Sequence, residues 1–188
     1  MALSDKERWN RKYQNNPIPD TPVTLITHYA SLAKGRQALD IACGMGRHSK
    51  YLANLGFEVD ALDISSLAIA SLESEPHIHA REVDFDTYRL ERGKYDLVVC
   101  TFFLKRELFP QIIEALKPGG ILIYETFVYH PENAQVPSHR EYLLEEGELE
   151  NAFKGKLEII ESREYWHTTM KGFRMKKASL VAKKPENP

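Results

Sequence analysis

Three aspartates that close or interrupt apolar runs are the residues of this chain whose type and spacing point to chemistry. Asp40 lies within Ala38-Leu39-Asp40-Ile41-Ala42, Asp63 ends Phe57-Glu58-Val59-Asp60-Ala61-Leu62-Asp63, and Asp84 follows the run from Ile78 to Val83. Each run is too short for a helix and is bounded by turn residues, so each reads as a buried strand. A carboxylate in such a place is costly without a partner, and the carboxyl ends of parallel strands form the binding crevice of an open α/β sheet. After Asp40 comes Cys43-Gly44-Met45-Gly46-Arg47-His48-Ser49, in which two glycines let the backbone turn and approach a ligand with no Cβ in the way. An acid at the end of the second strand, beside that turn, can take two ribose hydroxyls. The unit is strand, glycine turn, helix, strand, acid, and it describes a nucleoside site.

The elements that must position these residues follow from the pattern. Trp9 and Tyr13 share one helical face in Lys6 to Gln14, and Asn15-Asn16-Pro17-Ile18-Pro19-Asp20 ends that helix, which packs on the domain or covers the crevice as a lid. Thr21-Pro22 reads as an N-cap and first-turn proline for a helix through Leu25, Ile26, Tyr29, Leu32 and Ala33. Arg47 opens a helix that stops at Gly56, and Ser65-Ser66 caps another. Tyr95 to Cys100 is the fourth strand, Ile121 to Phe127 the fifth, and Lys117-Pro118-Gly119-Gly120 ends the helix between them. Val128 to Arg140 reads as a long loop, Glu141 to Phe153 as a helix with Glu145, Glu146, Glu148 and Glu150 on a solvated face. Lys156 to Trp166 and Phe173 to Ala182 form an antiparallel hairpin, and Lys183 to Pro188 a disordered tail.

The 188 residues fit one domain. A net charge of -2 gives no general basic footprint, which makes nucleic acid an improbable partner. Lys171, Arg174, Lys176, Lys177, Lys183 and Lys184 form the one local basic set, read as a solvated hairpin face. The charged Ser4-Asp5-Lys6-Glu7-Arg8 start and the lack of a long apolar run indicate a cytoplasmic protein with no membrane segment, monomeric or a homodimer. Cys43 and Cys100 are expected reduced and buried, close in space at two strand ends, and His77-Ile78-His79 gives two histidines on one strand face rather than a metal site.

Which nucleoside is decided by what the motif lacks. Ser49 stands where a dinucleotide fingerprint has its third small residue, and the sheet consumes nearly the whole chain, leaving no separate substrate domain. The balance favours S-adenosylmethionine over a nicotinamide dinucleotide. Asp40-x-x-x-Gly44-x-Gly46, Asp63, Asp84-Phe85, Tyr95-Asp96-Leu97-Val98 and Leu116-Lys117-Pro118-Gly119-Gly120 together resemble the class I S-adenosylmethionine-dependent methyltransferases. Trp9 to Tyr13 and Leu39 to Ser49 are most similar to the small tellurite-resistance and thiopurine methyltransferase-like branch. Ala42 departs from that pattern, standing in place of its first glycine; alanine fits there while its φ stays negative.

The resemblance implies an α/β, Rossmann-like single domain whose seven-stranded sheet has the order 3-2-1-4-5-7-6, the last strand antiparallel, with helices on both faces. It implies that Asp40 and the Ala42-Cys43-Gly44-Met45-Gly46 loop hold the methionine part of S-adenosylmethionine, with the Cys100 backbone on its amino group. Asp63 then holds the ribose, Ile64 packs on adenine, Asp84 takes its amine and Phe85 its ring edge, and the product is S-adenosylhomocysteine. Tyr13, Phe102, Phe103 and Phe127 are candidate walls. A sulfonium is a good leaving group, so the transfer needs in-line approach and a dry site above all. If a general base is required, His130 and Glu125 are candidates, with His48 and His139 behind them. Arg106 reads as a solvated arginine with anion binding as its sharper alternative. Cys100-Thr101-Phe102-Phe103 replaces the Asn/Asp-Pro-Pro-Tyr of nucleic-acid nitrogen methylation, so a small-molecule acceptor is expected ahead of RNA or protein. A non-catalytic S-adenosylmethionine-binding protein and a nicotinamide oxidoreductase are the remaining alternatives.

Overall fold

In the computed structural model, which describes residues 2–15, 19–134, 139–169 and 172–186, a seven-stranded sheet runs in the order β3-β2-β1-β4-β5-β7-β6. The strands are β1 (Gln37–Ile41), β2 (Glu58–Asp63), β3 (Ile78–Glu82), β4 (Tyr95–Thr101), β5 (Leu116–Phe127), β6 (Glu158–Thr168) and β7 (Arg174–Lys183). β1 to β5 pair in parallel, and β7 is antiparallel to both β5 and β6. This is the order that the resemblance implies. It brings the ends of β1, β2 and β4 side by side, because Ile41 pairs with Leu62 on one flank and with Cys100 on the other.

The helices are α1 (Ala2–Asn15), α2 (Thr24–Tyr29), α3 (Arg47–Asn54), α4 (Ser66–Ala70), α5 (Leu108–Ala115) and α6 (Glu148–Phe153). The central strands are buried on both faces, as parallel strands covered by helices must be. One core cluster joins Leu25 and Ile26 of α2 and Leu52 of α3 to Val99, Ile123 and Val181; the other packs Phe109, Ile112 and Phe153 of α5 and α6 against Val98, Leu122, Tyr124 and Leu180.

Several expected boundaries change. α2 starts after Val23 rather than at Thr21-Pro22, and Val23 makes no side-chain cap. Its backbone N–H instead donates to His48 Nε2 at 3.3 Å, so a buried imidazole from α3 sets the start. The expected helix from Glu141 to Phe153 is a 3₁₀ turn at Arg140–Tyr142, an extended Leu143-Leu144, then α6. Leu144 N donates to Phe127 O and Tyr129 N to Leu144 O, so pairing with the end of β5, together with burial of both leucines, outcompetes helix there. Glu148 leaves the solvated face: its carboxylate accepts from Arg106 Nε at 2.5 Å and Nη2 at 2.8 Å and from Glu145 N at 2.7 Å. The C-terminal segment is anchored further than expected. Lys183 belongs to β7, Gly119 N donates to Lys184 O, and Glu186 pairs with Lys34 and Lys183. Parts of the expected 15–20 break, the 128–140 loop and the hairpin joint, with Lys171 of the basic set, lie outside the described residues. Among the described residues no helix is long and apolar enough to cross a membrane.

Candidate functional site

β1 delivers Asp40 into a fully buried position beneath the glycine turn, where it accepts a 2.6 Å hydrogen bond from Ser49 Oγ of α3. The turn is built from three residues with left-handed backbone: Ala42 at φ 54°, Gly44 at φ 53° and Gly46 at φ 77°. Ala42 therefore does not keep a negative φ. It sits where its Cβ costs about 1 to 2 kcal/mol relative to right-handed backbone, strain that the loop carries without the glycine of the resembled pattern. Gly44 N donates to Asp63 Oδ2 and Ser65 N to Asp63 Oδ1, both at 2.8 Å, so the acid ending β2 holds the turn on one side and the start of α4 on the other. Ser65 Oγ in turn accepts from Ala68 N, which is the expected helix cap.

α1 lies across this crevice. A Cβ placed on Gly44 would stand 2.9 Å from Tyr13 Oη, and one on Gly46 would stand 2.5 Å from Leu72. Asn10, one turn before Tyr13, accepts from Ser65 Oγ at 2.6 Å and from Leu67 N at 3.3 Å, and donates to Ser66 Oγ at 3.1 Å. Lys6 reaches Glu82 at the end of β3, and the Arg8 guanidinium lies over the Tyr142 ring. Trp9 and Tyr13 stack with ring centres 5.5 Å apart, as their spacing predicts.

Burial dominates the electrostatics. The Asp40 carboxyl is pushed up to about 7 by desolvation, with the nearby Asp63 adding to the rise and Ser49 opposing it. Asp63 is also raised by desolvation against three backbone N–H groups. The Tyr13 phenol rises by burial and by the Asp63, Cys43 and Asp40 charges. Arg47, the first residue of α3, is the cation nearest these acids, and burial lowers its pKa against the pull of Asp40 and Glu125. Ile64 follows Asp63 half-buried; Asp84 is half-buried beyond β3, its Oδ1 taking Asp86 N at 2.9 Å. Phe85 points its ring into the core against Phe103, 5.4 Å between centres, leaving backbone rather than an aromatic face toward the crevice. Cys100 is buried at the end of β4 and Cys43 in a separate core cluster; burial raises both thiols, Cys100 to about 12.

The candidate bases fall into different surroundings. His48 is buried, accepts from Val23 N at Nε2 and so donates from Nδ1 to Thr101 Oγ1 at 3.3 Å; burial, with Arg47 beside it, pushes it down to about 3. It is a neutral tie between α2, α3 and β4. Glu125 is buried at the end of β5, with Oε1 accepting from Lys177 Nζ at 2.9 Å and Oε2 from Tyr165 Oη at 2.6 Å. His130 packs edge-on to Trp166 at 4.9 Å, and its Nδ1 accepts from Glu132 N. His139 lies against Tyr142. Arg106 keeps part of its side chain in solvent but is not free for an anion, since it clamps Glu148 and the carbonyls of Glu141 and Leu143.

The described members of the basic set are dispersed among separate partners. Lys176 pairs with Glu164, Arg174 stacks on Trp166, Lys184 donates to the carbonyls of Ile113 and Leu116, and Lys177 is buried against Glu125. Lys177, Tyr165 and Asn10 are the site residues that the sequence reading missed. The alternation Met175, Lys177, Ser179, Val181 carries the signal for Lys177, because it puts Lys177 on the face of a core valine and Lys176 on the other. His77 and His79 both bond to the Glu58 carboxylate in the open, and among the described residues no group of three or more His, Cys, Asp or Glu side chains could hold a metal.

The chain is similar to a ubiquinone biosynthesis O-methyltransferase of Burkholderia multivorans, 32% identical over an alignment of 132 residues that covers 63% of this chain and 56% of that protein. It thus spans about half the length of the curated relatives it matches. Among solved structures it is similar to TehB from Haemophilus influenzae, at a TM-score of 0.74 and 23% identity over 95% of this chain and 66% of that one. A SAM-dependent methyltransferase from Methanosarcina mazei superposes at a TM-score of 0.69 and 20% identity over 88% of this chain and 99% of that one. These likenesses show the fold. The family described as tellurite resistance protein TehB matches residues 1–178, and this chain therefore belongs to the TehB family, on the fold of the class I S-adenosylmethionine-dependent methyltransferases.

Proposed function

We propose that this chain is an S-adenosylmethionine-dependent methyltransferase whose acceptor is a small molecule. The observation that carries the reading is the convergence of two buried acids, Asp40 and Asp63, on a turn of three left-handed residues under Tyr13. The residues fit the cofactor in charge as well as in shape. Two buried carboxylates face one partly buried arginine, and a ligand bearing a sulfonium and an ammonium supplies the cations this pocket is short of. Backbone N–H groups of Gly44, Ile64 and Ser65 occupy three of the about four lone-pair sites of the Asp63 carboxylate and leave one for a ribose hydroxyl.

When bound, S-adenosylmethionine supplies an electrophilic methyl group and a neutral thioether leaving group. The protein's part is position and exclusion of water. Asp63 orients the ribose, the turn from Ala42 to Gly46 with Asp40 beneath it holds the methionine part, and the Cys100 backbone receives its amino group. Ile64, Asp84 and the Phe85 backbone frame the adenine. α1, latched by Asn10, closes Tyr13 over the turn as a lid. Phe102 and Phe127, 5.4 Å apart, wall the acceptor side, and holding acceptor and methyl in line is worth about 7 to 11 kcal/mol in favourable cases. The dispersal of the basic side chains supports a small acceptor over RNA.

Calorimetric titration with S-adenosylmethionine, S-adenosylhomocysteine and NAD in parallel tests the cofactor. Binding of the first two and not the third is expected; binding of NAD alone, or of none, overturns the reading.

A further inference from the structure

Beneath α2 and α3 the sheet's core turns polar as it reaches the crevice. Val99, Ile123 and Val181 of β4, β5 and β7 stand in one cross-strand row of that core. Two residues nearer the crevice, the same face reads Thr101, Glu125 and Ser179, and the next row reads Phe127, Lys177 and Tyr165. Lys177 is 4% and Ser179 2% exposed. Burying such groups is costly unless each finds its partners, yet the partners do not balance. Both Glu125 oxygens are taken, by Lys177 and Tyr165. The Lys177 ammonium has two further protons, which among the described residues donate no other hydrogen bond, and the faces of Phe102 and Phe127 lie 4.6 and 6.0 Å from it. Ser179 Oγ has no hydrogen-bond partner. Donors are left over, and an anion is one partner that would satisfy them.

One ring stands between these donors and the glycine turn. Phe102 lies against Lys177 on one side and the Arg47 guanidinium, at 5.3 Å, on another. Its backbone is left-handed at φ 56°, pinned by its N–H on Glu125 O at 2.8 Å, a strained conformation for a bulky residue and so a cover under tension. Of the nearby bases, His48 uses both ring nitrogens and the Glu125 carboxylate is held between Lys177 and Tyr165, so neither is assigned the acceptor's proton.

Building on the methyltransferase reading, we propose that Lys177, with Ser179 behind it, holds the methyl acceptor as an anion in place of the Phe102 ring, and that the acceptor is a weak acid, a thiol or a phenol. On binding, the acceptor's S–H or O–H proton passes to solvent. The resulting lone pair forms the bond to the methyl carbon while the carbon–sulfonium bond breaks and its pair stays on the departing sulfur. Thiolate or phenolate charge and sulfonium charge cancel, and Lys177 stays protonated throughout.

The test uses 4-nitrophenol and 4-nitrothiophenol, whose ionised forms are coloured, on the full chain saturated with S-adenosylhomocysteine. Calorimetry first establishes that S-adenosylhomocysteine binds, so that failure of the cofactor reading is seen separately. The charged and titratable groups around Lys177 are Glu125, Tyr165, His167 and, across Phe102, Arg47; burial and Glu125 keep Tyr165 protonated and burial keeps His167 toward neutral, so the colour reports the probe. A bound probe should ionise at least about 1 pH unit lower than it does free. The Lys177→Met/Glu125→Gln double variant, which leaves no lone buried charge, should abolish that shift while still binding S-adenosylhomocysteine, Lys177→Arg should keep it, and Ser179→Ala should reduce it. A nitrothiophenol shift without a nitrophenol shift assigns a thiol, and the reverse a phenol. Absence of binding by both probes, ionisation at their free values, or a shift that survives the double variant overturns the proposal.

Discussion

The two ends of the crevice solve the burial of charge in opposite ways. At β1 and β2, Asp40 and Asp63 are buried with backbone amides and a serine hydroxyl for company, and both carboxyls are driven upward by desolvation. At β5, β6 and β7, Glu125 is buried with Lys177 and Tyr165 on its two oxygens, a neutral cluster assembled within the protein. The first end lacks a buried cation of its own beyond the partly buried Arg47, and on the proposed reading a ligand that brings cations would complete it. The second is paired in the absence of any ligand, and only its extra donors remain. On the proposed reading, a crevice so divided would sort its two ligands by charge before shape is consulted.

Breaking the paired end should have the largest effect on the fold. Lys177→Met alone leaves a buried Glu125 carboxylate without its cation, and unfolding in urea should show a loss of about 3 to 5 kcal/mol, whereas the Lys177→Met/Glu125→Gln double variant should recover most of it. If the single and double variants melt alike, the pair is not the closed unit described.

Breaking the open end should instead show in binding. Asp63→Ala removes the acceptor for Gly44 N and Ser65 N as well as the ribose contact, and calorimetry should show S-adenosylmethionine affinity falling roughly 100-fold. Unchanged affinity would remove Asp63 from the site.

The raised Asp40 carboxyl sharpens the contrast through pH. Its folded value of about 7 lies above its ordinary value of 3.8, so between about 4 and 7 the folded, ligand-free protein binds more protons than the unfolded chain. Its contribution to stability is therefore fully present below that window and lost as the pH rises through about 7. A cationic ligand favours the carboxylate, so binding should expel a proton near pH 6, and affinity should fall by up to about tenfold per pH unit as the pH drops below 7. Titrations in buffers of different ionisation heat should detect that proton, and Asp40→Asn should abolish it.

The smallest effect is expected at Ala42. Replacing a left-handed alanine by glycine relieves strain at some cost in unfolded-state entropy, and Ala42→Gly should raise stability by roughly 0.5 to 1 kcal/mol, read as a rise in melting temperature.

The ends differ in how much of them the sequence displays. Asp40, the glycine turn and Asp63 sit within two strands and one tight turn, so short-range spacing and parallel-sheet geometry bring them together without further information. The hairpin is legible for the same reason, whereas the strand order comes from the resemblance alone. Glu125, Lys177 and Tyr165 come from three strands, two of them in the hairpin, and only the register Phe127, Lys177, Tyr165 assembles them. A lysine in a run of lysines reads as solvated until the alternation is followed into the core. Ala42 misled in another way. Residue type favours negative φ, and the loop overrode that preference because Gly44 must reach Asp63. The expected helix after Glu141 failed because its helical pattern competes with pairing to β5, a partner distant in sequence.

Asn10 ties the arrival of one ligand to the departure of another. Its side chain bonds to the segment that Asp63 also holds, while Tyr13 one turn later lies against the glycine turn, so on the lid reading proposed above a nucleoside would pass only when both contacts release together. The expected result is a turnstile: S-adenosylhomocysteine leaves at the rate at which α1 lifts, and stopped-flow exchange should be faster in Asn10→Ala by roughly the factor of 100 that three neutral hydrogen bonds represent. Turnover would then be clocked by a single asparagine far from the methyl group.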